Sequence, residues 1–113
     1  MAAAQGIITF ERPNKSKFSY SIYLDDTAGN PVRFLKDGKA AAGSPDNLVS
    51  TELCAIVDII LEGATAKTTT VVKINDLPVS TLLNALFLAS VTTRPSPDIV
   101  LWPGRKLTMV QVA

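Results

Sequence analysis

Histidine is absent from this chain of 113 residues, and Cys54 is the only cysteine. Those two shortages argue against structural zinc, a disulfide framework and Ser–His or Cys–His catalysis within one chain. Aromatic residues number seven: four Phe, two Tyr and one Trp. Charged residues make up 19%, against about a quarter in an average soluble domain. No apolar run is long enough to span a bilayer. The strongest two, Leu53–Leu61 and Leu82–Val91, contain Asp58 and Asn84 and fall short of the roughly 20 residues required. Met1–Gly6 has no basic stretch leading into an apolar core, so no secretory signal is read and a cytoplasmic location is expected, or a virion if the chain is viral.

What the chain does have is aliphatic bulk. Apolar residues reach 47% and mean hydropathy is +0.25, with thirteen Ala, twelve Leu, eleven Thr, ten Val and eight Ile. A chain of this length suits a single domain, here residues 1–113, with one modest core. The aliphatic supply exceeds what such a core needs, so part of it is expected on the surface, where a large apolar patch marks an interface. Eleven basic residues oppose ten acidic ones, giving a net charge of +1. That balance exerts no global pull toward nucleic acid or membrane.

Alternation is clearest over Lys17–Leu24. Phe18, Tyr20, Ile22 and Leu24 fall on one face, and Lys17, Ser19, Ser21 and Tyr23 on the other, which is the period of a strand with one buried side. A short strand precedes it over Ile7–Arg12, and Val32–Lys36 returns after a turn at Asp25–Asn30, so the N-terminal third reads as a β-meander. Between Asn47 and Gly63, the residues Val49, Leu53, Ile56 and Ile60 recur at helical spacing, and a helix is the preferred reading. The β-branched residues of Cys54–Leu61 equally fit a buried strand, with Glu62–Lys67 then a hairpin loop. Thr68–Ile74 has strong strand propensity. Asn75 or Asp76 ahead of Pro78 resembles a helix start, and Val79–Ser90 is expected to be a helix apolar almost all round. Ile99–Trp102 and Lys106–Val112 are closing strands joined through Pro103-Gly104. The sum is a β-rich α+β fold, an antiparallel sheet or small barrel of five to six strands with one or two helices.

Chemistry-bearing patterns are sparse. Asp25-Asp26 sits in turn-forming sequence without the alternate ligands of a calcium loop. Asp58 and Glu62 lie four apart, with nothing nearby to separate their pKa values for acid–base work. Asp37-Gly38-Lys39 through Gly43-Ser44 has the wrong order for a phosphate loop. Cys54 has no basic sequence neighbour to activate its thiol. Neither an enzyme nor a cofactor is expected.

Charge is segregated along the chain. Residues 1–39 hold six basic and four acidic side chains, 40–66 none and four, and 67–113 five and two. Arg12, Lys15, Lys17 and Tyr23, extended by Arg33, Trp102, Arg105 and Lys106, are therefore the candidates for a single-stranded nucleic-acid surface of stacking rings and cations. The competing reading is that Lys17 and its neighbours solvate an edge strand. The leading expectation is a non-enzymatic assembly subunit, a small homo-oligomer such as a viral coat, decoration or minor virion component. Leu82, Leu83, Leu86 and Phe87 are then expected to divide between core and subunit interface. A small β-barrel-like single-strand-binding protein is the alternative.

Overall fold

The structure, a computed structural model, describes residues 3–25, 31–62, 69–83 and 98–112. Nine strands occupy them: β1 (Ala3–Glu11), β2 (Lys17–Asp25), β3 (Arg33–Leu35), β4 (Leu48–Val49), β5 (Cys54–Glu62), β6 (Thr69–Ile74), β7 (Leu77–Leu83), β8 (Val100–Leu101) and β9 (Lys106–Val112). They form two antiparallel sheets, ordered β3-β2-β1-β5-β8 and β4-β9-β6-β7, one of them curled as a half-barrel. Pro31 bridges Val110 and the Val32 N–H donates to the Met109 carbonyl at 2.7 Å, so the sheets are joined along one side.

The meander of the N-terminal third is present, and its register follows the alternation. Phe10 lies opposite Phe18, Ile8 opposite Tyr20 and Gly6 opposite Ile22, so one row of side chains faces inward. The Phe10 and Phe18 rings stack at 5.2 Å, and Tyr20 meets Phe10 edge-on at 6.0 Å. Ile8, Phe10, Ile22, Ile56, Ile59, Val72, Leu101, Leu107 and Met109 form one buried cluster with members from both sheets. Burial of this kind, at about 25 cal/mol per Å² of apolar surface, is the main force joining the two sheets.

The helices expected from the sequence are absent among the described residues, and the fold is all-β rather than α+β. Residues 48–62 form β4 and β5 instead of a helix. The β-branched residues of this stretch pair with β1 instead, through one β-bulge: Thr9 pairs with Asp58 and Phe10 with Ile56, leaving Val57 as an extra residue. Cys54 and Ile56 point inward before the bulge and Ile59 after it. The residues that recur at helical spacing do not share this buried face: Ile56 is buried, Leu53 and Ile60 are half-buried and Val49 is exposed. The alternative reading of this stretch as a strand holds, but not its hairpin, because β5 and β6 belong to different sheets.

Residues 77–83, the start of the expected helix Val79–Ser90, form the outer strand β7, and the rest of it lies outside the described residues. What resembles a helix start is a two-residue hairpin turn between β6 and β7. Asn75 and Asp76 both have positive φ, 51° and 67°, as a type I′ turn requires. Pro78 follows in β7 opposite Lys73, beside a second bulge at Val79. An edge strand tolerates a proline there because no partner needs the missing N–H. The two closing strands exist, but the Pro103-Gly104 link carries the chain from one sheet to the other rather than closing a hairpin. The turn expected at Asp25–Asn30 falls on residues 26–30, outside the described set. Among the described residues no helix is long and apolar enough to cross a membrane.

Candidate functional site

Three tight turns and one loop build one end of the molecule. The first turn follows β1. Arg12 N–H donates to the Ser16 carbonyl at 2.8 Å and Lys15 N–H to the Arg12 carbonyl at 2.9 Å. Pro13 presets the turn, and Lys15 takes the left-handed position at φ 73°, so Pro13, Asn14 and Lys15 make a three-residue hairpin loop. Asn14 Oδ1 accepts from the Ser16 N–H at 3.0 Å and from its hydroxyl at 2.6 Å.

The second turn is Trp102–Arg105. Arg105 N–H donates to the Trp102 carbonyl at 3.1 Å and Gly104 sits at φ 84°, the type II geometry that Pro103-Gly104 favours. Ser50, almost fully buried, fastens this turn to the loop before β5. Its carbonyl accepts from Gly104 N–H at 2.7 Å, and its own N–H donates to the Arg105 carbonyl at 2.9 Å. Its hydroxyl donates to the Glu52 carbonyl. The third turn, Asn75-Asp76, joins through Lys106, whose Nζ lies 3.3 Å from the Asp76 carboxylate.

Between the first two of these turns lies a cleft of about 290 Å³. Pro13, Leu53, Ala55, Val100 and Trp102 supply its apolar lining, and Glu11, Arg12, Lys15 and Asp98 its charged groups. Arg12 Nε donates to Glu52 Oε1 at 2.5 Å and its guanidinium lies 4.5 Å over the Phe18 ring. Lys15 Nζ is 3.8 Å from the Glu11 carboxylate. Cys54 borders the cleft as a buried thiol. Burial pushes its pKa up, the nearby Glu52 charge adds to that, and the Ser50 hydrogen bond and Arg12 oppose it. A thiol held protonated is a poor nucleophile.

A second groove, of about 460 Å³, runs over the outer face of β1 and β2 beneath the loop at Gly38 and Lys39. Ser21 holds that loop down. Its hydroxyl donates to the Gly38 carbonyl at 2.6 Å and accepts from Ala40 N–H at 2.7 Å.

Of the eight residues proposed for nucleic acid, Arg12, Lys15, Lys17, Trp102, Arg105 and Lys106 come to the end built by the turns. Tyr23 and Arg33 pair with each other across β2 and β3. Tyr23 and Lys17 share a face of β2 but stand six residues apart, roughly 20 Å at the usual strand rise. Three of the cations already hold carboxylates: Arg12 with Glu52, Lys15 with Glu11 and Lys106 with Asp76. Of the residues proposed for a subunit interface, Leu82 and Leu83 lie in β7 opposite Thr70 and Thr69. Leu86 and Phe87 lie outside the described residues.

Sequence reasoning missed the exposed apolar side chains at this end. Among the described residues seven large apolar side chains are exposed, and two of them, Val100 and Trp102, line the cleft. Val49 pairs with Lys106, and Leu77 directly follows the Asn75-Asp76 turn. The available signal was Asn-Asp between two β-branched or aliphatic stretches, which marks a hairpin tip. No group of three or more His, Cys, Asp or Glu that could hold a metal occurs among the described residues. No protein-family model, curated protein or solved structure matches the chain.

Proposed function

We propose that this chain is a non-enzymatic structural subunit that assembles with copies of itself, such as a viral coat, decoration or minor virion component. The observation that carries the reading is the exposure of large apolar side chains, Trp102 (58%) beside Val100 on the cleft and Leu77 (68%) after the hairpin turn. Fully burying a side chain of this size is worth about 1.5–3 kcal/mol, so several together give association a driving force. The turns that carry them are tied by backbone hydrogen bonds, which lowers the ordering cost of forming a contact. β7 adds to this: it is the outer strand of its sheet and carries no charged residue from Leu77 to Leu83.

The nucleic-acid reading draws less support from the same geometry. Its two sheet-face members stand apart from the other six, and the carboxylates beside Arg12, Lys15 and Lys106 offset the cations a phosphate chain would seek. Light scattering at low and high salt, with and without mixed oligonucleotides, separates the two. The assembly reading expects a multimer whose mass ignores the oligonucleotides. A monomer or dimer that gains mass with them at low salt and loses it at high salt contradicts it.

A further inference from the structure

We infer that the cleft beside Trp102 is the contact itself, and that its occupant is the same end of a second copy related by a two-fold axis. The inference rests on the assembly reading and adds to it the surface and the symmetry. The backbone that carries Trp102 is fixed: its carbonyl closes the type II turn at Arg105, and the turn is bonded on both sides to Ser50. A large ring on a fixed turn, more than half exposed and set beside Val100, Leu53 and Pro13, has the make-up of an interface hot spot. Such centres draw on Trp, apolar neighbours and a polar rim.

The rim decides the partner. Lys15 and Glu11 sit side by side, and Arg12 and Asp98 line the same cleft. Interleaved signs suit a surface that carries the same pattern turned through half a revolution, because a lysine on one copy then faces a carboxylate on the other. A phosphate chain would meet Glu11 beside Lys15 and Glu52 beside Arg12, and a strongly acidic or basic protein would be repelled by half of the rim. A second copy meets neither difficulty.

Trp102 is the only tryptophan, so its emission reports this contact directly. The experiment follows emission wavelength and light-scattering mass together over a dilution series, for the native chain, Trp102→Ala (mass only), Lys15→Glu, and Lys15→Glu combined with Glu11→Lys. The expected result is a red shift on dilution that coincides with loss of mass. Trp102→Ala should raise the concentration needed for assembly about thirty-fold or more, with an unchanged far-ultraviolet spectrum because the side chain lies outside the core. Lys15→Glu should weaken assembly and the double reversal restore it. A multimer whose emission ignores dilution, and which survives Trp102→Ala, overturns this contact and leaves the assembly reading standing. A chain that stays monomeric at every concentration overturns both. An emission change that appears only on adding an oligonucleotide overturns the contact in favour of base stacking on Trp102.

Discussion

Asn75 and Lys106 are joined twice: the Asn75 N–H donates to the Lys106 carbonyl at 2.9 Å, and Asn75 Oδ1 accepts from the Lys106 N–H at 2.9 Å. The side chain thus ties the β6–β7 turn to the first residue of β9. Asn75→Gly keeps the positive φ available and removes the side-chain bond, so it should lower stability by about 0.5–1.5 kcal/mol. Asp76→Gly should cost less. It opens the same left-handed region to glycine and gives up only an exposed ion pair with Lys106, worth about 0–1 kcal/mol. Urea midpoints of the two variants, at an unchanged slope, check the order.

Val57 is the extra residue of β5 opposite β1. Deleting it would let the two strands pair without a bulge, with Ile56 still opposite Phe10 and Ile59 still opposite Ile8, so the inward row survives on both sides. What is lost is one buried valine side chain. The deletion should therefore cost less than Phe10→Ala, a fully buried ring whose truncation is worth about 3–5 kcal/mol. Thermal unfolding of both variants makes the comparison, and a deletion more damaging than Phe10→Ala would contradict the reading of Val57 as the extra residue.

The strands were legible in the sequence where their pattern was regular. β2 was readable because Lys17–Leu24 alternates without interruption, and β6 and β9 because β-branched residues cluster there. β5 was ambiguous, since Val49, Leu53, Ile56 and Ile60 recur at helical spacing, although of these only Ile56 is buried, while its β-branched residues fit a strand equally. β7 was hidden by Asn75-Asp76-Leu77-Pro78, four residues that suit a capped helix as well as a hairpin with an edge proline. The candidate site was harder still. Arg12 and Glu52 are 40 residues apart, so charges segregated along the chain are neutralised in space, and only the strand order brings them together. The exposed Val100 and Trp102 could not be told from core residues until β8 was seen to lie at a sheet edge.

The Cys54 thiol ties stability to pH. Burial raises its pKa above the usual 9.0, so the folded chain holds this proton more tightly than the unfolded one. The stability linked to it is fully present below pH 9.0 and is lost as pH rises through the raised value. Urea midpoints of the native chain and Cys54→Ala, measured from about pH 7 to about pH 10, should therefore show the native chain losing ground above pH 9.0. Parallel curves would contradict a buried, proton-retaining thiol. Alkylation of the folded chain at neutral pH should also be slower than that of the unfolded one.

The most direct test of the account is sedimentation velocity on the native chain and Leu77→Asp at matched concentrations. Leu77 is 68% exposed, so the charge does not enter the core and the fold should persist by far-ultraviolet spectroscopy. Placed in a subunit contact, the same charge is buried without a partner, at a cost of several kcal/mol. The account expects a multimer for the native chain and a smaller, folded species for the variant. A native chain that sediments as a monomer, or a variant that sediments with the native mass, would contradict it.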